Sequence, residues 1–211
     1  MSVIDSINDL AMKTLWSVLD YDLSVLEFVA VVSSIVGVWL GTTAKRWTWP
    51  WWALSSALYG WLFFNWNLYA SALLQIVFIL AGIWGWLGWG PKGATPRSGT
   101  HKQVLMTILG GLVAWVIIAP LLAKVGAAAT WPDSFGLVFS VIAQIIMVLE
   151  YRESWTLWFI VDAVYSIEYF TQHLWFTSIL YVLFTAIALR GWMNWGRMKI
   201  TLDAVRAEAV L

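Results

Sequence analysis

From about position 24 onward, apolar runs of roughly 20 residues alternate with short polar breaks, the length a helix needs to cross the bilayer hydrocarbon. Seven runs qualify, at about 24–44, 48–65, 67–89, 103–123, 133–150, 154–171 and 174–193. Asn65-Trp66-Asn67 and Gln172-His173 leave room for little more than a turn, so the helices flanking them are antiparallel neighbours. The one extended loop, 90–102, carries Pro91, Gly93, Pro96, Gly99 and three bases. Pro50 falls near a helix start, where proline is tolerated, and Pro120 inside the fourth run, where a kink is expected. Residues 1–23 follow another pattern. Ile4, Ile7, Leu10, Ala11, Leu15 and Leu19 recur mostly at three- and four-residue steps among Asp5, Asp9, Asp20 and Asp22, predicting an amphipathic helix on the membrane surface. With Lys13 as its only base, this segment is not expected to be a cleaved signal.

Charge orients the spans. With seven crossings, Lys45, Arg46, Lys92, Arg97, Lys102, Arg152, Arg190, Arg197, Lys199 and Arg206 fall on one side, and only Lys13 and Lys124 on the other. The positive-inside rule then puts the N-terminus outside and the C-terminus in the cytoplasm. Six or eight spans would scatter the bases over both faces.

Composition agrees: 61% of the 211 residues are hydrophobic and 11% charged, against roughly a quarter charged in soluble domains. Zero net charge and the lack of any binding motif argue against nucleic acid. The chain has no cysteine, and His101 and His173 lie in polar breaks, so no metal cluster, cofactor site or catalytic constellation is expected. Of the 18 tryptophans, Trp84, Trp86, Trp89, Trp192 and Trp195 fall at span ends and read as interfacial anchors; Trp49 and Trp155 fit anchoring or ligand contact equally.

A shift of 106 positions aligns Glu27–Trp89 with Asp133–Trp195 without gaps. Trp49, Trp52, Tyr59, Gly85, Trp86 and Trp89 then meet Trp155, Trp158, Tyr165, Gly191, Trp192 and Trp195; Arg46 meets Arg152, Ser34 meets Ser140 and Glu27 meets Asp133. Each repeat holds three spans, so the fourth must return the chain. The expected fold is an all-α membrane protein, seven transmembrane helices in a 3+1+3 plan of parallel triple-helix bundles. Its parts are 1–23 (surface helix), 24–89 (first repeat), 90–102 (cytoplasmic loop), 103–132 (linker helix), 133–195 (second repeat) and 196–211 (cytoplasmic tail). Two facing bundles enclose a central site, as transporters require.

Helical spacing selects what lines that centre. Trp155, Trp158, Asp162, Tyr165 and Tyr169 form one stripe, and Trp49, Trp52, Ser56, Tyr59 and Phe63 its counterpart. An ionisable group at mid-membrane costs roughly 2.5 to 3.5 kcal/mol on insertion scales and usually lines a polar cavity. Asp162 among aromatic faces suits a cationic ring, although a helix–helix contact would also use it. Gln75 and Gln144 lie mid-span, fitting ligand contact or interhelical bonding alike. The candidate substrate-binding set is Trp52, Tyr59, Gln75, Gln144, Trp155, Trp158, Asp162, Tyr165 and Tyr181. Gly82, Gly85 and Gly88 point to close helix packing.

Tyr21-Asp22-Leu23-Ser24 with Glu27, Leu68-Tyr69-Ala70-Ser71 with Gln75, and Glu153-Ser154-Trp155-Thr156-Leu157-Trp158 resemble the PnuC family of vitamin transporters. Trp155, Trp158 and Asp162 match that family's Trp-x-x-Trp-x-x-x-Asn/Asp pattern. The resemblance implies a multi-pass bacterial inner-membrane protein with a SWEET-like fold, a homotrimer, and facilitated diffusion with trapping by a cytosolic kinase. It implies no cofactor and no enzymatic activity. It ranks nicotinamide riboside first and thiamine a close second; many riboside carriers have Asn where this chain has Asp162, and a few members move riboflavin. The alternative is a membrane-embedded binding or assembly subunit without transport of its own.

Overall fold

The computed structural model describes residues 3–18, 21–66, 69–124 and 131–209. The side chains of Ile4, Leu19, Asp20, Asn67, Leu68, Tyr69, Ala70, Lys124 and Asp133, used above, lie outside the described residues. The elements in order are α1 (Val3–Ala11), β1 (Thr14–Val18), β2 (Tyr21–Ser24), α2 (Val25–Thr42), α3 (Thr48–Asn65), α4 (Tyr69–Gly88), α5 (His101–Lys124), α6 (Trp131–Val148), α7 (Glu153–Thr171) and α8 (Trp175–Glu208).

The N-terminal segment corrects the expectation of one surface helix over 1–23. The helix stops at Ala11, and an antiparallel hairpin follows with Ser17 opposite Asp22 and Val18 opposite Tyr21. Thr14, Trp16 and Val18 are residues that fit a pleated strand, and the Ser17 hydroxyl donates to Asp22 across the pair. Ser24 ends the hairpin and caps α2, its Oγ accepting from the Glu27 N–H at 3.1 Å.

Among the described residues, four helices are long and apolar enough to cross a membrane: α2, α4 over Ser71–Gly88, α5 over His101–Leu121, and α8, whose helix continues through the tail. α6 has a shorter apolar stretch, Ser134–Val148. α3 and α7 fall short because tryptophan, tyrosine and serine, and in α7 three acidic residues, lower their mean hydropathy. α2 packs on α3 and α3 on α4; α6 packs on α7 and α7 on α8. Contacts of α2 with α8 and of α4 with α6 join the two groups, and α5 packs on α6.

The internal repeat survives in the contacts. Ala44 and Glu150, 106 positions apart, both turn left-handed, at φ 57° and 65°. Each receives the 90–97 loop: Ala94 N–H donates to the Ala44 carbonyl at 2.8 Å and Arg97 N–H to that of Glu150 at 3.0 Å. Arg46 Nε donates to the Trp86 carbonyl at 2.6 Å and Arg152 Nε to that of Trp192 at 3.1 Å. The two guanidinium carbons stand 4.0 and 3.9 Å from the Trp86 and Trp192 ring centroids. A Cβ on Gly85 would fall 2.2 Å from the Trp49 ring, and one on Gly191 2.3 Å from that of Trp155. Close packing thus requires Gly85, while Gly88 faces open space.

Trp49, Trp89, Trp155 and Trp195 form a core between the repeats, none more than 1% exposed. Trp89 and Trp195 are therefore not interfacial anchors. Trp89 Nε1 donates to the Val148 carbonyl and Trp195 Nε1 to that of Gly41, and such carbonyls near helix ends are the ones free to accept. Trp84 and Trp192 are exposed, as anchors would be.

Candidate functional site

The two aromatic stripes face one cavity of about 260 Å³. Trp52, Ser56, Tyr59 and Phe63 line it from α3, and Trp155, Trp158, Asp162, Tyr165 and Tyr169 from α7. α4 adds Ser71 and Gln75, α8 adds Tyr181, and the repeat-related Ser34 and Ser140 enter from α2 and α6. A larger groove of about 700 Å³ runs along α5, α6 and α7, but its walls are almost wholly apolar.

Trp52 and Trp158, equivalent positions of the two repeats, meet with centroids 5.6 Å apart and planes at 43°. Trp49 stacks beneath Trp52 at 5.9 Å, which joins the cavity to the tryptophan core. On the other side Tyr165, Tyr169 and Tyr181 form a triangle of rings with centroids 5.1 to 5.7 Å apart. Gly136 admits this cluster, since a Cβ there would lie 2.1 Å from the Tyr165 hydroxyl.

Asp162 is 6% exposed. The ion pair among the described residues is Lys199–Asp203, on the tail of α8, so no basic side chain there balances Asp162. The indole N–H groups of Trp155 and Trp158 are buried and have no hydrogen-bond partner among the described residues. The cavity thus combines aromatic faces, an unbalanced carboxyl group and uncommitted donors. No group of His, Cys, Asp and Glu suited to a metal occurs among the described residues.

Of the candidate set, Trp52, Tyr59, Gln75, Trp155, Trp158, Asp162, Tyr165 and Tyr181 line this cavity. Gln144 does not. It is buried on α6, neither amide atom has a partner among the described residues, and its repeat counterpart Val38 lines the wall instead. The serines at 34, 55 and 140 were not singled out by sequence reasoning, although the alignment of Ser34 with Ser140 was a signal for two of them.

The repeat also shows where the walls differ. Ser56 stands opposite Asp162, Gln75 opposite Tyr181 and Phe63 opposite Tyr169, each 106 positions apart. The acidic side belongs to the second repeat and the amide side to the first.

A family model described as nicotinamide mononucleotide transporter matches residues 24–197. The nicotinamide riboside transporter PnuC of Escherichia coli is 27% identical over 215 residues, covering 85% of this chain and 89% of that protein. The protein of the same name from Neisseria mucosa is 24% identical, covering 82% of this chain and 72% of its own length. The riboflavin/roseoflavin transporter RibM of Streptomyces davaonensis is 26% identical, with 80% and 83% covered. A crystal structure of the vitamin B3 transporter PnuC has the same fold, with a TM-score of 0.72 at 23% identity over 83% of this chain and 82% of that one.

Proposed function

Because the chain belongs to the nicotinamide mononucleotide transporter family, that of the PnuC vitamin transporters, we propose that it carries nicotinamide riboside into the cell by facilitated diffusion. The observation that carries a cationic aromatic substrate is Asp162, a buried carboxyl group without a basic partner among the described residues, in an aromatic cavity, and the relatives named for nicotinamide riboside put that cation first. A pyridinium ring supplies the missing charge and stacks on tryptophan and tyrosine faces. The ribose hydroxyls and carboxamide can meet Gln75, Ser34, Ser55 and the indole donors of Trp155 and Trp158. Thiamine is the second reading, favoured by the carboxylate itself, which also accepts from an aminopyrimidine.

Transport requires the remaining architecture. All seven helices α2 to α8 cross the bilayer as 3+1+3, with α5 as the linker, the ten-base face in the cytoplasm and the N-terminus outside. The matched packing of α2–α4 and α6–α8 supports this plan. The protein works as a homotrimer, and a cytosolic kinase traps the imported vitamin.

Calorimetric titration of the purified protein tests the site. The neutral dihydro form of nicotinamide riboside, alike in size, serves as the uncharged comparison. Asp162→Asn is expected to weaken the cation by about tenfold, ~1.4 kcal/mol, and to leave the neutral form within a factor of about two. Equal loss for both ligands, or none for either, contradicts the assignment. Tighter binding of thiamine than of the riboside would exchange the two readings.

A further inference from the structure

A second acidic group stands outside the central cavity. Glu27 lies in the first turn of α2 and is 6% exposed. The Tyr21 hydroxyl donates to its Oε1, while Oε2 is buried with no hydrogen-bond partner among the described residues. A bare buried carboxylate oxygen is costly unless something compensates it, and no basic side chain pairs with it among the described residues.

Its direction is fixed by the helix. Glu27, Ser34 and Val38 are spaced seven and four apart and share one face of α2, and the latter two line the central cavity. Seven residues correspond to about 10 Å of rise, so Glu27 stands roughly two turns nearer the hairpin end than Ser34. Tyr59, on the cavity wall, is hydrogen-bonded to the Ser34 side chain, on the same face of α2 as Glu27. Tyr21 stacks on Phe176 of α8 with centroids 5.6 Å apart, so rings from both repeats surround this end. Burial and the bond to Glu27 both hold the Tyr21 phenol well above its ordinary pKa, so it stays a neutral donor.

We propose that Glu27, with the rings of Tyr21 and Tyr59, is an outer recognition site for organic cations, occupied before the substrate moves on to Asp162. The assignment rests on the transport reading above. The carboxylate raises the local concentration of a cationic solute at the entrance, and the aromatic faces hold the flat ring once it arrives. Tyr59 belongs to both sites, giving the cation a continuous aromatic wall between the two carboxyl groups. A neutral solute of the same shape gains nothing from Glu27.

Glu27→Gln tests this, because an amide can still accept from Tyr21, and leaves the Ser24 cap on the backbone intact, while losing the charge. Initial uptake of nicotinamide riboside and of its neutral dihydro form is measured in liposomes containing full-length protein. The expected result is a KM for the cation raised by about tenfold with Vmax kept, and no change for the neutral form. Unchanged kinetics for the cation, or an equal loss for both solutes, overturns the outer site. Uptake of neither solute by the unsubstituted protein would overturn the transport reading, and this proposal with it.

Discussion

Trp89 and Trp195 meet between the repeats with ring centroids 5.7 Å apart, and each indole donates to a carbonyl of the opposite repeat, Val148 at 3.1 Å and Gly41 at 2.9 Å. The two bonds are reciprocal: equivalent donors, 106 positions apart, reach the ends of α6 and α2. They tie the repeats together at the floor of the cavity.

Trp195→Ala should therefore destabilise the whole protein, by about 3 to 5 kcal/mol, as removal of a fully buried aromatic does. Trp84→Ala, at an exposed position, should change stability little. Thermal melts in detergent separate the two, and equal melting points would contradict the core assignment.

Gly85→Ala and Gly191→Ala should each cost about 1 to 3 kcal/mol, because the new methyl group enters the space of Trp49 or Trp155. Gly88→Ala, with nothing near its Cβ, should be neutral or slightly stabilising. The same melts apply. A tolerated Gly191→Ala would mean that the α7–α8 approach is looser than described.

Trp158→Ala and Tyr165→Ala should weaken cation binding by about 1 to 2 kcal/mol each, the value of a lost desolvated cation–π contact. Titration is the readout, with melting curves to exclude unfolding. Full affinity in both variants would remove the aromatic walls from the site.

Much of this was legible in the sequence because a repeat constrains two segments at once. The alignment that paired Trp49 with Trp155 and Gly85 with Gly191 has its counterpart in two equivalent ring-on-glycine contacts. Periodicity located the stripes, and Asp162, Tyr165 and Tyr181 do share a cavity. What failed was the depth of side chains. Trp89 and Trp195 sit at span ends, where a belt and an inter-repeat core look alike in sequence; only the partner helix decides. Gln144 is buried on α6 and outside the cavity lining, a placement the sequence leaves open because it depends on how that helix is rotated against α7. The hairpin was hidden because the apolar residues of 14–24 also fit helical spacing, whereas the Ser17–Asp22 pairing is a cross-strand property.

The proposed orientation predicts labelling in a chain without native cysteine. Ser98→Cys, exposed in the 90–97 loop's continuation before α5, should resist an impermeant thiol reagent added to intact cells. Trp66→Cys, at the opposite end of α3, should react. Labelling of Ser98→Cys from outside would reverse the topology.

On the proposed function, a cationic vitamin moves downhill through this cavity. The direct measurement is uptake of radiolabelled nicotinamide riboside into liposomes containing the purified protein, without kinase and with the membrane potential held at zero. Among the described residues, Asp162 is the one acidic residue on the cavity wall, and a fixed counter-ion to a permanent cation has no proton to exchange in each cycle. The internal concentration should rise faster than in protein-free liposomes and level off at the external one, whatever proton or sodium gradient is imposed. Uptake no faster than in protein-free liposomes, or accumulation above the external level that a protonophore abolishes, would contradict the account.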